Sequence, residues 1–100
     1  MRLTQQQQTA ICQTVAGIIG PDARVWLFGS RCNENVRGGD LDLLIENDAL
    51  PSILQRARVK LALESAFAMP VDIVGIKRGM APNAFQRIAL ATAILLGGAR

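Results

Sequence analysis

The run Asp40-Leu41-Asp42-Leu43-Leu44-Ile45-Glu46 constrains this chain more than any other segment. Leu41, Leu43 and Ile45 alternate with two aspartates, the period of a strand with one apolar face and one face that begins with two carboxylates. The apolar face needs a sheet and a covering layer. Arg24-Val25-Trp26-Leu27-Phe28 supplies a second strand, a short β-prone run that stops at Gly29-Ser30, as expected of a strand buried on both faces with Trp26 in the core. Val71-Asp72-Ile73-Val74-Gly75-Ile76 supplies a third.

Helical patterns separate these strands. Thr4 with Gln7 matches a capping box, and Ile11, Val15, Ile18 and Ile19 recur at helical spacing until Gly20-Pro21. Pro51 to about Ala68 reads as a helix with Leu54, Ala57 and Leu61 on one face and Arg56, Lys60 and Glu64 on another. A last helix begins near Pro82, with Phe85, Ile88, Ala89, Thr92 and Leu95 as its inner stripe and Gly97-Gly98 as its stop. Residues 31–39 are polar and close on Gly38-Gly39, a loop or interrupted turn. The order predicts a single domain over 1–100 of the α/β (α+β) class, a small mixed three-stranded sheet covered by helices.

Composition narrows the function. The chain has 100 residues, half of them hydrophobic, which suits one folded domain and excludes a second catalytic lobe. A domain this small leaves much surface uncovered, so a homo- or hetero-oligomer is expected. The apolar stretch Ile88 to Leu96 is far short of a membrane span, and the start lacks a secretory signal, so a cytoplasmic protein is expected. Cys12 and Cys32, with no histidine in the chain, suggest reduced thiols and no zinc site. The net charge is +3 with only 4% aromatic residues, too little for a basic stripe with stacking platforms, so nucleic acid is not the expected partner.

Three features fall at strand ends. Gly29 after a buried strand lets backbone N–H groups approach an anion, and Ser30 adds a hydroxyl donor; an ordinary turn is the plainer alternative. Asp40 and Asp42 project from the same strand face and can chelate a hard cation, the alternative being a solvated edge. Asp72 is the only polar side chain between Val71 and Ile76, and a lone buried carboxylate there needs a reason: it caps a backbone group or pairs with Arg87 or Lys77. Arg31 and Arg37 flank the loop and can reach phosphate, or serve as solvated charges. Lys77 and Arg78 read as surface charges, and Arg56, Arg58 and Lys60 as a wet helix face.

The ordered set Val25-Trp26-Leu27-Phe28-Gly29-Ser30-Arg31, Arg37-Gly38-Gly39-Asp40-Leu41-Asp42-Leu43-Leu44-Ile45-Glu46 and Val71-Asp72-Ile73-Val74 resembles a minimal nucleotidyltransferase of the DNA polymerase beta superfamily over essentially the whole chain. The resemblance implies that Gly29 and Ser30, with Arg31, bind the triphosphate of ATP. It implies that Asp40, Asp42 and Asp72 hold two Mg²⁺ ions and form the catalytic set, Asp72 also taking the proton of the acceptor hydroxyl. The loop from Ser30 to Asp40 is one residue shorter than is common in the family, though a subgroup ending in arginine-glycine-glycine-aspartate is similar. Such domains typically pair with a small helical HEPN protein as antitoxin and toxin, and some transfer AMP to a tyrosine hydroxyl of that partner. The alternatives are a non-catalytic module that blocks its partner by binding it, and nucleotidyl transfer to RNA or a small molecule.

Overall fold

Two capping boxes start the two long helices. A computed structural model of the chain describes residues 4–28, 41–80, 83–84, 87, 91 and 93–97. Helix α1 runs Gln5–Ile18, with Thr4 accepting from the Gln7 N–H while the Gln7 side chain accepts from the Thr4 N–H. Helix α2 runs Ile53–Phe67 with the same reciprocal pair between Ser52 and Gln55. Its end is set by Ala68 in the left-handed region at φ 54°, followed by Pro70, which cannot continue a helix.

Between and after the helices lie β1 (Arg24–Phe28), β2 (Leu41–Asn47), β3 (Val71–Lys77) and β4 (Ile94–Gly97). They form one sheet in the order β3-β2-β1-β4. β1 pairs antiparallel with β2 and with β4, and β2 pairs parallel with β3. A parallel pair needs a crossover connection, and α2 is that crossover.

Alternation divides the sheet into two faces. Val25, Leu27, Leu41, Leu43, Ile45 and Val71 pack with Ile11 and Val15 of α1 and with Val59 and Leu63 of α2. The opposite face carries Phe28 and Leu44, flanked by Trp26, Val74, Ile76 and Ala93. β2 is central, and Leu43, Leu44 and Ile45 are all fully buried, so both of its faces are covered at mid-strand. Gly75 has a reason on β3: an added Cβ would lie 3.3 Å from the Arg56 side chain and 3.4 Å from Pro51. The lead-in to α2 therefore lies directly on the strand.

Five expectations change, three of them about whole elements. Among the described residues the sheet has four strands, because Ile94–Gly97 extends along β1, with Trp26 opposite Leu95 and Leu27 opposite Ile94. Ala84, Arg87 and Ala91 are helical, and the Arg87 N–H donates to the Asn83 carbonyl at 2.9 Å, but the helix does not reach Leu95. Phe85, Ile88, Ala89 and Thr92 of the expected stripe lie outside the described residues. On α2 the covered face is Val59 and Leu63, while Leu54 and Leu61 are 63% and 67% exposed.

Trp26 is half-buried at the margin of the second face and not in the main core. Arg78, expected at the surface, is held by three residues from two segments instead. It pairs with Asp48 at 2.8 Å and with Glu46 at 3.7 Å, and donates to the Asp22 carbonyl. This cluster pins the Glu46 end of the sheet.

Candidate active site

Register brings two of the predicted carboxylates together. In the parallel pairing of β2 with β3, Asp42 lies directly beside Asp72, and on the other side of Asp42 its antiparallel partner is Phe28. Neighbouring strands are ~4.8 Å apart, so carboxylates at matched positions on one face are close neighbours. Asp42 alternates with Leu44, and Asp72 with Val74 and Ile76, which places both on the sheet face turned away from α1 and α2. Phe28 ends β1, and the next residues in sequence are Gly29 and Ser30. The chain re-enters the described residues at Leu41, immediately after Asp40.

Gly29, Ser30, Arg31, Arg37 and Asp40 lie outside the described residues, as does Cys32. Asp42 is half-buried. The Asp72 side chain is 60% exposed, so it is not the lone buried carboxylate the sequence suggested, and its charged partner is Lys60 at 3.9 Å, not Arg87 or Lys77. The exposure follows from position: β3 is the edge strand, and Asp72 is near its start.

Two side chains of α2 finish that edge. Glu64 Oε2 accepts from the Val71 N–H at 2.9 Å and from Lys60 Nζ at 3.0 Å, while Lys60 also donates to the Val71 carbonyl. Both backbone groups of Val71 are thus partnered by side chains, a need that an edge strand always has. The backbone hydrogen bond from Val71, followed by the one from Lys60, holds the Glu64 carboxyl below its ordinary range. Sequence reasoning placed Lys60 on a wet face and Glu64 on the same side of the helix, with no role for either. A signal was present: lysine before glutamate at this spacing is the less favourable order within a helix, so the pair serves something beyond it.

The donor set fits a hard divalent cation. Asp42 and Asp72 offer carboxylate oxygens from adjacent strands, and Asp40 stands two positions before Asp42 in sequence. Among the described residues alone, no group of three His, Cys, Asp or Glu side chains is close enough to hold a metal ion. A groove of about 340 Å³ between α1 and β4, lined by Gln8, Thr9, Cys12 and Leu96, belongs to the helix-covered side and not to the carboxylate pair. Burial there raises the Cys12 thiol above its ordinary range. Among the described residues, no helix is long and apolar enough to cross a membrane.

Comparison with solved structures identifies the class. The chain is 34% identical to a structure described as that of a candidate minimal nucleotidyltransferase, covering 89% of this chain and 88% of that one with a TM-score of 0.67. The chain belongs to the minimal nucleotidyltransferase family. Its fold also matches a structure of a tri-AMPylated HEPN toxin from Shewanella oneidensis in complex with an MNT antitoxin, at 21% identity, 95% and 73% coverage of the two chains and a TM-score of 0.72. A toxin–antitoxin structure with AMP-PNP matches at 19% identity, 98% and 76% coverage and a TM-score of 0.77. No protein-family model and no curated protein matches the chain.

Proposed function

We propose that the chain is a Mg²⁺-dependent, cytoplasmic nucleotidyltransferase that transfers AMP from ATP to a hydroxyl of a small helical HEPN-type partner, and so acts as the antitoxin of a toxin–antitoxin pair. The observation that carries this reading is the side-by-side placement of Asp42 and Asp72, with Asp42 paired to Phe28, the residue that precedes Gly29-Ser30 in sequence. Two fold relatives agree with it, an AMPylated HEPN toxin in complex with an MNT antitoxin and a toxin–antitoxin complex with AMP-PNP.

In this reading Asp40, Asp42 and Asp72 hold the Mg²⁺ ions. When bound, these ions neutralise charge on the phosphates and on the attacking and leaving oxygens. Gly29 and Ser30, with Arg31, receive the triphosphate through backbone N–H groups, a hydroxyl and a guanidinium. Asp72, open to solvent, takes the proton of the acceptor hydroxyl. The hydroxyl oxygen then bonds to the α-phosphorus, and the bond to pyrophosphate breaks. The chain's own contribution is chiefly positioning and electrostatics.

The test is incubation of the purified chain with α-labelled ATP, Mg²⁺ and lysate of its source cells, beside Asp42→Asn. Protease-sensitive label on a small protein, seen with wild type and lost by at least ~100-fold in the variant, is the expected result. RNase-sensitive label would replace the protein acceptor with RNA. Absence of label, with the variant still neutralising a toxic partner in cells at unchanged protein level, would make the chain a binding module.

A further inference from the structure

Lys60 Nζ stands 3.9 Å from Asp72 Oδ1. Its ammonium carries three donors. It bonds Glu64 Oε2 at 3.0 Å and the Val71 carbonyl, and a further side of it stands 3.9 Å from Asp72 Oδ1. Two carboxylates on matched positions of adjacent strands repel unless a positive charge is near. Lys60 reaches that place from α2, a different element from the strands that carry the aspartates.

We propose that Lys60 is a built-in counter-ion of Asp72, the member of the carboxylate pair nearest it, a positioning residue whose charge steadies Asp72 and against which an incoming divalent cation competes. This rests on the reading of Asp42 and Asp72 as cation ligands. Glu64 sets the strength of the competition. It holds the ammonium at 3.0 Å, nearer than Asp72 at 3.9 Å, so Asp72 is screened without being tied up. The Lys60 and Asp72 side chains are 42% and 60% exposed, so water weakens their attraction and a divalent ion can outcompete it.

The experiment is a Mn²⁺ titration of the full chain, read by the electron paramagnetic resonance of the free ion. Lys60→Gln is expected to bind Mn²⁺ about fivefold more tightly than wild type, the scale of one charge near 4 Å in a wet site. Lys60→Arg keeps the charge and is expected to bind like wild type. Arg58→Gln removes an equal charge from an exposed position of the same helix and is expected to stay within ~2-fold. A purely structural lysine gives the opposite sign, because loosening Val71 displaces Asp72 and weakens binding. Affinity of Lys60→Gln equal to or weaker than wild type therefore overturns the proposal.

Asp72→Asn separates the two levels of the argument: if it leaves Mn²⁺ binding unchanged, or wild type shows no saturable site, the carboxylate reading fails and the inference with it. A second measurement uses the unmodified chain, which has only two lysines, Lys60 and Lys77. Mg²⁺ is expected to shift the Lys60 ¹³Cε resonance and leave that of Lys77 in place. A site that fills and depends on Asp72 while the Lys60 resonance stays still overturns the proposal, even if Lys60→Gln does not fold.

Discussion

Glu64 does two jobs with one oxygen: it accepts from the Val71 N–H and from Lys60. Both bonds favour the ionised form, so the carboxyl titrates lower in the folded chain than in the unfolded one. A depressed carboxyl contributes stability that is complete above its unfolded value and is lost as pH falls through its folded value. The stability difference between wild type and Glu64→Gln should therefore be constant from neutral pH to about pH 5 and shrink below about pH 4. Urea unfolding of both proteins from pH 3 to 7 checks this, and parallel acid limbs would contradict it. At this scale the site was half legible. Asp42 and Asp72 stood out because carboxylates interrupt apolar strands. Lys60 and Glu64 did not, because their partner is the backbone of a strand seven or more residues away, which no local pattern displays.

At the scale of elements, α1 and β1 to β3 were legible because their signals are local: a capping box, short β-prone runs, and glycine or proline stops. The orientation of α2 was not. Leu54 and Leu61 recur at the same helical period as Val59 and Leu63, so the pattern allows either side to face inward. Packing against Ile11, Val15 and the sheet selects Val59 and Leu63. Leu63→Ala should cost about 2–5 kcal/mol, whereas Leu61→Ala should change stability by less than ~0.5 kcal/mol. Comparable losses at the two positions would mean the helix is rotated. β4 was hidden for a different reason: Ile94-Leu95-Leu96-Gly97 continues an apolar helical pattern, and what makes it a strand is pairing with β1, far back in the sequence.

Across the whole molecule, the sheet has a chemical end and an anchored end. The first carries Asp42 beside Asp72; the second carries Arg78, bound to Asp48, Asp22 and Glu46, with Arg24 also 3.8 Å from Glu46. Glu46 Oε1 and Arg78 Nε are buried without a hydrogen bond, so their mutual charge is what compensates them. Arg78→Ala leaves that carboxylate with a weaker partner and should destabilise by about 1–3 kcal/mol in urea unfolding. It should leave Mn²⁺ affinity unchanged, since the network lies at the other end of the strands. The parallel pairing between those ends has a wider meaning. Side chains alternate with period two, so sliding β3 by a single residue would send Asp72 to the helix side and turn the buried Val71 away from it. In the proposed reading, cation binding at Asp42 and Asp72 is therefore a ruler for strand alignment. A displacement of one residue, about 3.3 Å, would part the two carboxylates and turn Val71 and Ile73 out of the core together, so the site and the fold are lost in the same step.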